Sequence, residues 1–277
     1  MKPNKLFTML CAVAFAVASC DSKKDEKAVA EKPVDMQIKE DTALYNLDTV
    51  GMVGYVAWDA SSDKQRPVVL VVPEWWGLND YTKSRVKQLA GLGYLAFAVD
   101  MYGNGMQAAD PGQAEKLATP FYKDPTMAKS RFDAAMTKAL SYAVADKGKV
   151  AAIGYCFGGT QVLNMALLGE PLKGVVSFHG GLETVPADKG LLKANILVCH
   201  GEADNFVPAD QVAAFRKKLD SIAAPYSFKT YPGATHAFSN PGATATGKKF
   251  NMPISYNAAA DTASWNEMKA FFGTIFK

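Results

Sequence analysis

Short apolar runs of buried-strand type alternate with amphipathic stretches over most of this chain, and that alternation constrains the fold more than any other feature. Pro67–Val72, Tyr94–Val99, Val150–Ile153, Gly174–Phe178 and Ile196–Cys199 are runs of four to six residues, rich in Val, Ile, Leu, Phe and Ala. Strands covered on both faces read this way. Gly51–Trp58 adds an early strand and Ser227–Tyr231 a last one. Between them the spacing predicts helices over Asp80–Leu92, Met127–Ala145, Thr160–Leu168, Ala209–Ile222 and Ala258–Phe276. Strands alternating with helices require crossover connections. The expectation is an α/β fold with a mostly parallel central sheet flanked by helices on both faces. In such sheets the chemistry sits beyond the carboxyl ends of the strands.

The chain is read in three parts. Residues 1–19 look like a signal segment: Lys2 and Lys5 precede the apolar run Leu6–Ala18, which is too short to span a bilayer and remain there. Val17-Ala18-Ser19-Cys20 resembles a bacterial lipobox, which makes Cys20 the expected lipidation site and the protein an exported, lipid-anchored one. An ordinary cleaved secretory signal is the alternative. Residues 20–45 are expected to be a flexible polar tether, because Asp21–Asp41 holds five lysines and seven acidic residues with few large apolar side chains. Residues 46–277 form the expected globular domain. The formal net charge of +3 falls to +1 once Lys2 and Lys5 are removed with the signal. There is no basic patch of the kind that binds nucleic acid. A membrane contact is expected only through the lipid anchor.

The stretch Gly154-Tyr-Cys156-Phe-Gly158-Gly159 follows one of the buried runs and opens a helix. Strand, glycine-flanked nucleophile and helix make a nucleophile elbow, with Cys in place of Ser. The turn leaves no room for side chains at Gly154 and Gly158. The helix N-terminus aims free N–H groups at the sulfur, a field that favours its anionic form. A thiol nucleophile needs a base, and the base an orienting acid. His236, in the loop after the last strand, is the candidate base; Asp204, in the loop after the strand ending at Cys199, is the candidate acid. Nucleophile, acid and base then follow the chain order of α/β-hydrolases. Glu202 reads as solvent-facing. His200, at a strand end, reads as a packed histidine, and His179 as either pocket lining or packing. Cys199 reads as an inert core thiol. No Cys or His spacing suggests a metal, and no glycine fingerprint suggests a cofactor, so none is expected.

These motifs, with Pro73-Glu74-Trp75-Trp76-Gly77-Leu78-Asn79, Gly201-Glu-Ala-Asp204-Asn-Phe-Val-Pro208 and Gly233-Ala-Thr-His236-Ala-Phe238, resemble the dienelactone hydrolases, also called carboxymethylenebutenolidases. The resemblance covers the chain from about Val50 onward. It implies a Cys156–Asp204–His236 triad, with Glu74 as the glutamate that contacts the nucleophile and helps generate the thiolate. Glu74 as a helix cap or local ion-pair partner is the plainer alternative. The oxyanion donors are expected to be the backbone N–H groups of Phe157 and, by family analogy, Trp75. A thioester intermediate suits activated substrates, so hydrolysis of aryl or enol esters and lactones is expected. One departure concerns the substrate. Family members acting on dienelactone carry an arginine shortly after the Asp-x-Tyr motif and another four residues past the catalytic histidine. Here Asp100-Met-Tyr102 is followed by Gly103 and Asn104, and the second position is Asn240. Arg85, Arg131 or a lysine is a conceivable replacement. Trp76, Tyr102, Asn104, His179 and Asn240 are the expected pocket residues, with Trp75, Phe121 and Tyr122 as further aromatic candidates. A catalytically idle ligand-binding lipoprotein on the same scaffold, or a thioesterase or peptidase, are the rival readings.

Overall fold

The computed structural model describes residues 35–277; the expected signal segment and Cys20 lie outside the described residues. In chain order the elements are β1 (Ile38–Leu47), β2 (Val50–Asp59), β3 (Arg66–Val72), α1 (Asp80–Ala90), β4 (Leu95–Ala98), α2 (Pro111–Lys123), α3 (Pro125–Ala139) and β5 (Ala145–Tyr155). There follow α4 (Phe157–Leu167), β6 (Gly174–Phe178), β7 (Asn195–Gly201), α5 (Ala209–Ser221), β8 (Tyr226–Tyr231), α6 (Ala243–Phe250) and α7 (Ala258–Ile275). All eight strands form one sheet in the order β1-β2-β4-β3-β5-β6-β7-β8. β2 pairs antiparallel with β1 and β4, and every other pairing is parallel. This is the α/β-hydrolase architecture.

Alternate residues of the central strands feed opposite sides. Val68, Leu70 and Val72 pack with α2, α3, α4 and α5, while Val69 and Val71 pack with α1 and α7. All five are fully buried. Each contributes roughly 1.5–3 kcal/mol relative to an exposed side chain. Burial on both faces is why these strands are apolar throughout rather than alternating.

Four elements differ from expectation. The tether expected over residues 20–45 does not reach that far, because β1 begins at Ile38 and pairs along its length with β2, from Ile38 opposite Asp59 to Leu47 opposite Val50. Only Ala43 of β1 is buried, so it lacks the apolar signature of a strand. Its polar side chains have partners instead: Glu40 accepts from Tyr55 and pairs with Lys87 at 2.9 Å, and Lys39 sits 5.2 Å over the Trp58 ring. The helix expected over Met127–Ala145 ends at Ala139, and Ala145 already starts β5. The helices α2 and α6 were not expected at all. α2 has a strong start, with the Asp110 carboxylate accepting the Gln113 N–H at 2.9 Å and Pro111 in the first turn, but Pro120 sits inside it. A proline there ordinarily ends a helix.

Candidate active site

The elbow at the end of β5 is built as its glycines require. Cys156 lies between β5 and α4 with φ 53° and ψ −118°. A non-glycine residue in such a conformation costs on the order of 1–3 kcal/mol. A Cβ on Gly154 would fall 2.0 Å from the Gly158 carbonyl oxygen, and one on Gly158 would fall 2.2 Å from the Val72 carbonyl oxygen. The turn is therefore closed to any other residue at either position.

Two further loops place a carboxylate and an imidazole together at the same end of the sheet. The loop after β7 holds Asp204, whose side chain is fully buried and whose Oδ1 accepts the Phe206 N–H at 2.9 Å. The loop after β8 holds His236, whose Nδ1 lies 2.8 Å from Asp204 Oδ2. This loop is tied down by a bridge from His236 to Ile254 and by the Ser255 N–H donating to Thr235 Oγ1 at 2.9 Å. Cys156 and His236 line the same cavity. Burial alone would push the His236 pKa down. Negative charge on Cys156 and the bond to Asp204 outweigh it and hold the pKa well above 6.5. Glu202 is exposed. Cys156 and Cys199 are both free thiols, and burial pushes Cys199 up to about 12.

The loop after β3 carries Glu74, which is 2% exposed. It does not cap α1; Asn79 does, accepting the Thr82 N–H at 3.2 Å. Glu74 Oε2 instead accepts from Asn240 Nδ2 at 2.7 Å. The Glu74 carbonyl accepts the Gly77 N–H at 3.0 Å, with Gly77 at φ 85°. That turn fixes the peptide plane carrying the Trp75 N–H, which points opposite to the bonded carbonyl. Phe157 is the first residue of α4, where a helix supplies its N–H with no carbonyl partner.

Glu74, Cys156 and His236 open onto one cavity of about 340 Å³. Its walls are Trp75, Trp76, Tyr122 and Phe206, together with Met252 and Ile254, which follow α6. Glu115, Ala118 and Thr119 of α2 line it too. Of the expected pocket residues, Trp76 lines this cavity and Tyr102, Asn104, His179 and Asn240 do not. Tyr102 is buried behind the wall, its hydroxyl donating to the Trp75 carbonyl at 2.8 Å. Asn104 sits in a turn with its N–H on the Gly51 carbonyl at 2.7 Å. His179 is fully buried, and Asn240 is spent on Glu74.

The model of the dienelactone hydrolase family matches residues 52–276. The chain belongs to the dienelactone hydrolase family. Among curated proteins it is 30% identical to Protein usf of Aquifex pyrophilus over 217 residues, covering 74% of this chain and 87% of that one. Among solved structures it resembles m3DLH, with 32% identity and a TM-score of 0.82 over 87% of this chain and 99% of the other. A dienelactone hydrolase-like promiscuous phosphotriesterase from metagenomic libraries matches at 31% identity and a TM-score of 0.80, over 86% of this chain and 98% of that one.

Among the described residues of this family member, neither Arg85 nor Arg131 takes the place of the two arginines that acidic substrates would call for. Arg85 is buried, donating to the Ser239 carbonyl at 2.6 Å and paired with Asp261. Arg131 is buried against Met52 Sδ at 3.2 Å. Among the described residues, no Lys or Arg lines the cavity, whose ionisable groups are Glu74, Glu115, Tyr122, Cys156 and His236.

Burial raises Glu74 from 4.5 to about 7, against the opposing Asn240 bond. A carboxyl whose folded pKa is raised binds its proton more tightly in the folded state, so stability is lost as pH climbs from about 4.5 through about 7. The full penalty above that window is about 3 kcal/mol. Glu74→Gln is therefore expected to be more stable than the parent at pH 8 by up to about this amount, and nearly equal to it at pH 4.5. Urea melts at the two pH values check this; an equal difference at both would show that the carboxyl is not held up by burial.

Proposed function

We propose that this dienelactone hydrolase cleaves activated esters and lactones, aryl and enol esters above all, through Cys156 as nucleophile, His236 as base and Asp204 as its orienting acid. The observation that carries the reading is the His236 imidazole, bonded to Asp204 at 2.8 Å, lining the same cavity as Cys156 at its elbow. The thiolate attacks the carbonyl carbon, and the carbonyl electron pair moves to oxygen, facing the N–H groups of Phe157 and Trp75. Collapse expels the alkoxide or enolate, which takes a proton from the His236 imidazolium. The acyl group is left on sulfur as a thioester. Neutral His236 then takes a proton from water, hydroxide attacks the thioester, and the carboxylic acid leaves with Cys156 restored as thiolate. Glu74, titrating near neutrality, helps take the thiol proton in the resting enzyme.

Thiolate is itself a good leaving group from the tetrahedral intermediate. The alcohol must compete with it, and this favours stabilised enolates and phenolates. The aromatic walls and a lining with no lysine or arginine among the described residues favour neutral substrates over acidic dienelactones. Incubation with neutral aryl esters, enol lactones, thioesters and a neutral aryl phosphotriester, followed by intact mass, tests the reading. One acyl group mapped to Cys156 is expected from the aryl ester. No adduct and no turnover across the panel would favour an idle binder instead.

We also propose that the protein is exported and anchored through a lipid on Cys20, on the strength of Val17-Ala18-Ser19-Cys20. The mature N-terminus is expected by mass spectrometry to be diacylglyceryl-cysteine 20. An unmodified terminus beyond it would end the idea.

A further inference from the structure

A second histidine lies directly beneath the elbow, and the triad does not use it. His179 follows β6, is fully buried, and has φ 41°. Its own N–H donates to the Cys199 carbonyl at 2.8 Å, which extends the sheet pairing into the turn. The ring makes two polar contacts. Nδ1 accepts the backbone N–H of Cys156 at 3.1 Å, and Nε2 lies 2.7 Å from Ser239 Oγ. The Cys156 N–H is shared with the Phe178 carbonyl at 3.0 Å. Ser239 Oγ in turn lies 2.8 Å from the Tyr81 hydroxyl. The ring is held edge-on against His236 at 5.4 Å and against Phe238 at 5.1 Å between centroids.

These contacts fix the proton. An atom that accepts an amide N–H carries no hydrogen, so the ring proton sits on Nε2 and is donated to Ser239. A second ring proton would displace the Cys156 amide. Burial, with His236 and Arg85 as nearby charges, pushes the His179 pKa well below its ordinary value. The two neighbouring histidines are thus driven in opposite directions, His236 toward the charged form and His179 toward the neutral one.

We propose that His179 is a positioning residue for the nucleophile: its imidazole, locked in the Nε2–H tautomer by Ser239, accepts the Cys156 amide and holds the elbow in its strained backbone, with the sulfur aimed at His236. The inference rests on Cys156 being the nucleophile. The strain at Cys156 needs an opposing restraint, because the extended conformation is cheaper for a cysteine. A neutral acceptor supplies that restraint without adding a second positive charge beside His236.

The tautomer is read on the parent protein by long-range nitrogen–proton NMR between pH 6 and 8. A protonated Nε2 and a bare Nδ1 are expected; the reverse pattern overturns the proposal. Substitutions then separate positioning from packing. Asn places its amide oxygen near the site of Nδ1, whereas Leu offers no acceptor. His179→Leu is expected to lower kcat for an aryl ester by roughly 10–100-fold with KM changed less than about threefold. His179→Asn is expected to recover most of that loss. Equal losses in the two variants that follow their melting temperatures would reduce His179 to core packing. Ser239→Ala, which releases the tautomer lock and changes little volume, is expected to lower kcat several-fold; an unchanged kcat would count against the lock. The parent reading is tested apart from these, because a trapped acyl group at Cys156 stands or falls without His179.

Discussion

Cys156→Ala is expected to lose roughly 10⁴-fold or more in kcat toward an aryl ester while melting within a degree or two of the parent. The large effect follows from removing the atom that forms the covalent intermediate; what remains is binding and the oxyanion donors. The small effect follows from the fold. Alanine keeps the Cβ, so the strain at φ 53° is the same, and the amide still reaches His179 and Phe178. Steady-state kinetics and a thermal melt on the same preparation measure both. A variant within tenfold of the parent would move the nucleophile elsewhere. The mutant should also change His236. Charge on Cys156 is the first of the influences raising that imidazole, so the His236 resonances should titrate at lower pH once the sulfur is gone.

Asp204→Asn is expected to cost about 10³–10⁴-fold in kcat. The asparagine oxygen can still accept the Phe206 N–H, which leaves its NH₂ facing His236 Nδ1. A donor there forces Nδ1 to be bare and puts the proton on Nε2, so the ring cannot take one from Cys156. The pH dependence of stability changes as well. Because the folded His236 pKa is raised, its pairing stabilises the protein below about 6.5, and that stability is lost as pH rises through the folded value. The asparagine variant should show a weaker pH slope in urea melts. Full activity in Asp204→Asn would detach the acid from the base.

Much of this arrangement was legible in the residues because it is forced. A strand buried on both faces must be apolar throughout, so β3 to β7 announce themselves. An elbow that leaves 2.0 Å for a Cβ must be glycine, so Cys156 is framed on both sides. β1 was hidden because one buried alanine is all it needs once β2 supplies the ladder. α2 was hidden by Pro120, and α6 by its short run of small residues and lysines. The errors about pocket residues have a common origin. Position after a strand tells which end of the sheet a side chain occupies, but not whether it faces the cavity or the interior. His179 and Asn240 are at the right end, and both are turned to support a neighbour. Asn240 stood out in the sequence as a missing cation and an expected pocket residue; its bond to Glu74 joins residues 166 positions apart, which no local pattern encodes.

The cavity draws part of its outer wall from α2 and from the segment after α6, while Cys156, Asp204 and His236 follow β5, β7 and β8. Glu115, Thr119 and Met252 are thus carried by stretches of polypeptide that hold none of those three residues, whereas Trp75, Trp76 and Phe206 come from the loops after β3 and β7. Exchanging Glu115, Thr119 or Met252 is expected to change which guest the cavity accepts while Cys156, Asp204 and His236 keep their places.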